Sequence, residues 1–287
     1  MIQLFIFGGV LVALIYYDRL NKEKGNSSRQ SGNGSLYEAT EPAEKLRYNG
    51  EDLSFTDEEY EYVLNRHFGY YSQLRPHNQK IFIERLKNFI SDKIFIIHDE
   101  EGFKEMPILV SATAIQITFG LDGYLLPHFR HLQIYPEEFL RTYPYLCFLE
   151  GNVSGKSIRL SWKHFLRGIQ NENDGQHVGL HEMAHALYYQ HFIAEHHNDR
   201  DFRKYFEYFN DDSNEVYQLE QAATVGLYSR HAMKNLQEFW AESVEIFFEK
   251  SFVLYQTYPS VYLAVEQILN QNPILLLNEK GSTDHPA

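Results

Sequence analysis

The sequence predicts an α+β fold, mainly helical, with a small sheet ahead of the helical half and one N-terminal transmembrane helix preceding the domain. Three observations lead there. Helical periodicity sets in from about Leu53, short β-branched or aromatic runs cluster between residues 94 and 162, and an uncharged apolar run opens the chain.

The opening run, Ile2 to Tyr17, closes on Tyr16 and Tyr17 and is followed by Arg19, Lys22 and Lys24. As a helix it spans roughly 24 Å, a little less than a hydrocarbon core. Interfacial tyrosines and a snorkelling Arg19 cover the difference. A cleaved signal peptide is the rival reading, yet no basic residue precedes the run and no clear small-x-small site follows it. Residues 1–20 are therefore expected to anchor the chain in a membrane, with the basic flank placing the body in the cytoplasm. Residues 21–52, with their Ser, Gly, Asn and Glu content, read as a flexible linker, 53–275 as the domain, and 276–287 as a tail.

Within the domain, Thr56 with Glu59 is a capping-box start for a helix through His67. Pro76 opens a second helix to about Lys93 whose stripe is Ile83, Leu86, Phe89 and Ile90. Ile94 to Ile97, Leu132 to Tyr135 and Ser157 to Trp162 are the strand candidates. After Gln176 the pattern is helical over about 176–197, 213–229, 235–250 and 259–270.

Composition narrows the function. Thirty-nine acidic against 26 basic side chains give a net charge of −13, which argues against direct nucleic-acid binding. With 44% apolar residues the chain can bury a sizeable core. A single cysteine, Cys147, excludes an internal disulfide and a CxxC zinc site, and its apolar neighbours suggest a buried thiol. Any metal must be held by His and carboxylate.

Those residue types meet in His181-Glu182-Met183-Ala184-His185. On a helix, i and i+4 share a face, so both imidazoles can converge on one zinc ion while Glu182 reaches a water bound there. Val178, Leu180, Ala184 and Leu187 give the helix a buried side. Chance produces such a pattern about once in fifteen sequences of this composition, so an ordinary helix with two surface histidines stays open on the motif alone.

A tetrahedral site needs a third protein ligand. His191 has the spacing of the extended zincin motif, but Tyr188 stands where that motif has a helix-breaking glycine. On an unbroken helix His191 lies about 9 Å beyond His185. His177 precedes His181 by one turn and faces the same problem of axial distance. Glu238 is the better candidate, on a helix whose Phe239, Trp240, Val244 and Phe247 mark it as central, so a carboxylate there wants a partner. Glu242, one turn later, could orient His181 from behind the metal. A solvated acidic face of Glu238, Glu242, Glu245 and Glu249 is the competing reading.

From about Tyr71 to Pro273 the chain resembles the zinc-dependent peptidase family of Mlc titration factor A, whose core is similar to the protease domain of anthrax lethal factor. The likeness rests on Leu74-Arg75-Pro76, Ile134-Tyr135-Pro136, Leu160-Ser161-Trp162, Asp174-Gly175 leading into the His181 motif, Glu238-Phe239-Trp240-Ala241 and Phe247-Phe248-Glu249. The resemblance implies a zincin-type fold, zinc on His181, His185 and Glu238, Glu182 as general base, and a peptide or protein substrate. It also implies a possible transcriptional regulator as partner. Where the family carries a tyrosine that stabilises the transition state, this chain has His231, which can donate to an oxyanion; Tyr228 is the alternative hydroxyl. His177 stands where the family tends to have Asn.

The expected function is thus a membrane-tethered zinc peptidase. The alternative is a zinc-stabilised protein that sequesters a regulator, with proteolysis secondary or absent. A membrane protein with an accidental motif is the third reading.

Overall fold

A computed structural model describes residues 45–99, 103–142, 146–194 and 200–276. The N-terminal apolar run, residues 21–44 of the expected linker, and all but the first residue of the tail lie outside them. Among the described residues no helix is long and apolar enough to cross a membrane.

The strands are β1 (Leu46–Asn49), β2 (Ile94–Ile97), β3 (His131–Tyr135), β4 (Phe139–Arg141), β5 (Cys147–Leu149), β6 (Gly151–Ser154) and β7 (Ser157–Ser161). Five form one sheet in the order β1-β2-β3-β7-β6, and β4 pairs with β5 separately. The central β2, β3 and β7 run parallel, while the edges β1 and β6 are antiparallel to their neighbours. Alternation gives the sheet one apolar face of Phe95, Ile97, Leu132, Ile134, Ile158 and Leu160, all buried. Strand β1 falls in the stretch whose composition reads as linker, so the folded part begins at least as early as Leu46.

The helices are α1 (Asp57–His67), α2 (Gly69–Gln73), α3 (Pro76–Asp92), α4 (Glu105–Thr118), α5 (Trp162–Gln170), α6 (Val178–Phe192), α7 (Arg200–Ala222), α8 (Leu236–Glu249), α9 (Ser251–Thr257) and α10 (Pro259–Leu269). The Thr56/Glu59 capping box forms in full, Pro76 occupies the first turn of α3, and the four stripe residues of α3 are buried. Helix α4 escapes periodicity because every residue from Met106 to Thr118 is buried, leaving no polar side to set a period. Helix α7 starts well before the expected residue 213. Its buried stripe, Phe202, Phe206, Phe209 and Val216, begins near the helix start, and the helix ends at Ala222 rather than at residue 229.

Helices α6 and α8 pack against each other at the centre, and α6 also lies against β6 and β7. Trp240 of α8 is fully buried and donates its indole N–H to the Ala184 carbonyl at 3.0 Å, fixing the contact beside His185. Cys147 is only half-buried, between exposed Leu146 and Phe148. The apolar run around it belongs to a two-stranded hairpin rather than to the core, so the expected buried thiol is not found.

Candidate metal centre

Helix α6 is started by a histidine. Nδ1 of His177 accepts hydrogen bonds from the Gly179 and Leu180 amides at 3.1 and 3.3 Å, which requires that nitrogen to be unprotonated. Complete burial enforces the neutral form, pulling its pKa down to about 4. His177 is thus a cap and not a ligand. Because the unfolded chain binds this proton below about pH 6.5 and the folded chain does not, stability falls as pH drops through the window from 6.5 to about 4. In the metal-free chain the expected loss is about 2 kcal/mol by pH 5. His177→Asn keeps a capping oxygen and is expected to flatten that dependence, as urea unfolding at the two pH values would show.

Antiparallel to α6, helix α8 sets a ladder of carboxylates along it. Glu249 accepts from the Gln176 amide at 3.1 Å, Glu245 accepts from the His177 amide at 2.5 Å and approaches Nδ1 of His181 at 2.7 Å, and Glu238 faces both His181 and His185. Acids at the amide end of α6 complement its dipole and its orphan N–H groups.

Nε2 of His181, Nε2 of His185 and Oε2 of Glu238 lie 3.1 Å from one another in every pair. They are the group of donor atoms among the described residues arranged as metal ligands would be. Bonds of about 2.0–2.1 Å in a tetrahedron separate neighbouring ligands by about 3.3 Å, so the spacing fits a small divalent ion. The proton inventory fits too. With the Nδ1 proton of His181 donated to Glu245, Nε2 presents a lone pair toward another imidazole nitrogen and a carboxylate, a set of acceptors that a cation satisfies. Burial pushes His181 down, but Glu245 and Glu238 carry it well above the usual imidazole range, so in the metal-free chain a proton on Nε2 takes the place that a cation would fill; the three facing imidazoles overcome burial and hold Glu238 well below the usual carboxylate range.

Glu182 is buried beside this cluster, and burial raises its pKa against the pull of His185 and His181. Its carboxyl lies against Gly151 of β6, where an added Cβ would sit 2.5 Å from Oε1. The obstacle is the far end of a side chain, so Gly151→Ala should move Glu182 rather than break the sheet. If the cluster performs the hydrolysis that the sequence reading expects, at least a tenfold loss of turnover follows with a thermal midpoint within a few degrees of the parent; unchanged turnover would show that the close approach is not needed.

His231 brings Nε2 to 3.0 Å from Oε2 of Glu238 but stays outside the three-atom group, half-exposed at its rim. Lys234 donates to Nδ1 at 2.8 Å, which leaves the proton on Nε2, pointing at the cluster. Tyr228 is not there. Its hydroxyl lies 2.9 Å from Oγ of Ser243 and its ring stacks on Phe239, all in the core. His191 is likewise buried, stacked on Phe202.

Two carboxylates behave differently from the sequence reading. Glu242 does not back His181: Glu245 does. Measured from Glu238, seven residues turn a helix about −20° and four turn it about +40°, and the first brings the side chain onto His181. Glu242 instead accepts from the Ser229 amide and hydroxyl at 2.5 and 2.6 Å, and Oγ of Ser229 accepts the His231 amide at 3.0 Å. The Glu242–Ser229 pair thereby holds the loop that delivers His231. Glu242→Ala is expected to keep full metal stoichiometry while lowering turnover about tenfold. Loss of metal from this variant would return Glu242 to the support of the metal ligands that the sequence reading gave it. The heptad offset to Glu245 was a signal the sequence held; nothing in it singled out Gly151.

No curated protein matches the chain. The model of the family described as glucose-regulated metallo-peptidase M90 matches residues 45–269, from the first strand to the end of α10 and across every residue of the cluster. The chain belongs to the glucose-regulated metallo-peptidase M90 family.

Proposed function

We propose that the chain is a zinc-dependent peptidase in which His181, His185 and Glu238 hold the ion. The observation that carries this is the set of equal 3.1 Å separations between two imidazole nitrogens and one carboxylate oxygen from different helices. Bound zinc supplies a Lewis acid that makes water nucleophilic near neutral pH and polarises a carbonyl. The protein's own groups do the rest. Glu182, kept from solvent and next to both histidines, takes the proton of the attacking water and returns it to the departing amine. His231 donates its Nε2 proton to the developing oxyanion. Glu245 keeps the His181 ring in register.

Among the described residues, β6 is a terminal strand paired only with β7, and Glu182 lies against Gly151 on its face. An extended peptide can add there as a further strand, which presents a main-chain carbonyl to the cluster whatever its side chains. The N-terminal apolar run supports a membrane tether with the domain on the cytoplasmic side.

The test is a peptide-library digest by the zinc-loaded chain. One zinc per chain, cleavage abolished by a chelator and restored by zinc support the reading. A pure protein that takes up no stoichiometric metal rejects it. Control of a transcriptional regulator that persists without any cleavage would favour the sequestering alternative.

A further inference from the structure

The sheet face turned away from its apolar side carries a charge opposite in sign to that of the whole chain. Pairing sets Arg47, Ile96, Gln133, Arg159 and Asn152 in one row across it, since cross-strand partners share a face. The residues between them, Phe95, Leu132 and Ile158, are buried on the other side. Gln133 ties the rows together: His98 Nε2 and the Tyr135 hydroxyl lie 3.1 and 3.2 Å from its Oε1, and its amide donates to Oγ of Ser157 at 3.1 Å.

No paired position on this face of β1, β2, β3, β7 or β6 holds an acidic residue. Lys45 leads into β1, and Lys156 sits in the turn between β6 and β7. Among the described residues Lys45, Arg47, Lys156 and Arg159 make no ion pair; Arg130, at the border, is spent on Asp92 at 2.6 Å. The histidines register the field. His131 and His98 are held below the usual range first by burial and then by these cations.

We propose that this face docks on an anionic lipid surface. The inference rests on the N-terminal tether proposed above. The chain enters the fold at Lys45, on the edge strand of this same sheet, and 27 residues separate it from Tyr17, which closes the apolar run. A single N-terminal anchor keeps a chain at a membrane without selecting which face of its folded part meets the lipid. The basic face supplies the orientation, each cation multiplying the partition by about fivefold. A free polyanion, whether nucleic acid or acidic protein, must instead be captured from solution against a net charge of −13, whereas the tether raises the effective concentration of lipid. Docking leaves the metal cluster open, because α6 packs on the opposite, apolar side of the sheet.

The experiment uses the 287-residue chain with Leu4→Asp and Leu11→Asp, which interrupt the apolar run so that the face acts alone. Its partition onto phosphatidylcholine vesicles containing about one-third phosphatidylserine should exceed that onto pure phosphatidylcholine by about tenfold or more at about 0.1 M salt, and lose the excess at about 0.5 M. Arg47→Glu with Arg159→Glu should abolish the excess. The milder Arg47→Gln with Arg159→Gln should cut it severalfold with an unchanged thermal midpoint. Equal partition onto both vesicles, an excess that survives charge reversal, or tighter binding to DNA or polyglutamate than to the anionic vesicles overturns the proposal. The intact chain on pure phosphatidylcholine reads the tether separately, so failure of the anchor is not mistaken for failure of the face.

Discussion

Glu182→Gln is expected to retain its zinc and lose at least about a hundredfold in turnover, the usual scale for removing a general base. The substitution keeps the shape of the side chain, so the contact with Gly151 survives, and it leaves the three-atom group intact because Glu182 is not part of it. What it removes is the capacity to accept a proton. Burial raises the carboxyl's pKa in the metal-free chain and a bound cation pulls it back, so Glu182 sets the acid limb of the activity profile, with activity falling as pH drops and the carboxyl protonates. In the Gln variant that limb should vanish along with most of the rate. Purified, zinc-loaded variant that hydrolyses peptide at the parental rate would remove Glu182 from the mechanism.

Much of the framework was legible in the sequence, for reasons that differ by element. Helices α1, α3, α8 and α10 have caps, a leading proline or a one-sided apolar stripe, and these local signals survive folding intact. Helix α4 and strands β4, β5 and β6 were not legible. The first is buried on all sides and has no period, and the strands are too short, three or four residues each, for alternation to show. The meeting of Glu238 with His181 and His185 was anticipated from the centrality of α8 and from the family resemblance, and the structure brings the three together. The partner behind His181 was not anticipated. The seven-residue offset from Glu238 points to Glu245, but the sequence does not show that α6 crosses α8 antiparallel, which is what carries Glu245 to the ring and leaves Glu242 to Ser229.

Glu238→Ala should abolish stoichiometric zinc and, with it, all detectable peptidase activity, an effect larger than that of Glu182→Gln. Oε2 of Glu238 is shared by His181, His185 and His231 at 3.1, 3.1 and 3.0 Å, so its removal takes away one ligand and the negative charge that all three rings face. Two imidazoles alone hold zinc far more weakly than three protein ligands do. The comparison that gives this result meaning is Glu245→Ala. It strips His181 of its outer carboxylate but leaves the ligand set complete, and should weaken zinc by about ten- to a hundredfold. Excess zinc should then restore Glu245→Ala and leave Glu238→Ala inactive. If zinc titration instead finds one tight equivalent in Glu238→Ala, the convergence of α6 and α8 on that oxygen is an ordinary buried ion pair and the third ligand lies elsewhere. If both variants respond alike to added metal, the two carboxylates share one outer role, and the separation between the residue that binds and the residue that orients is lost.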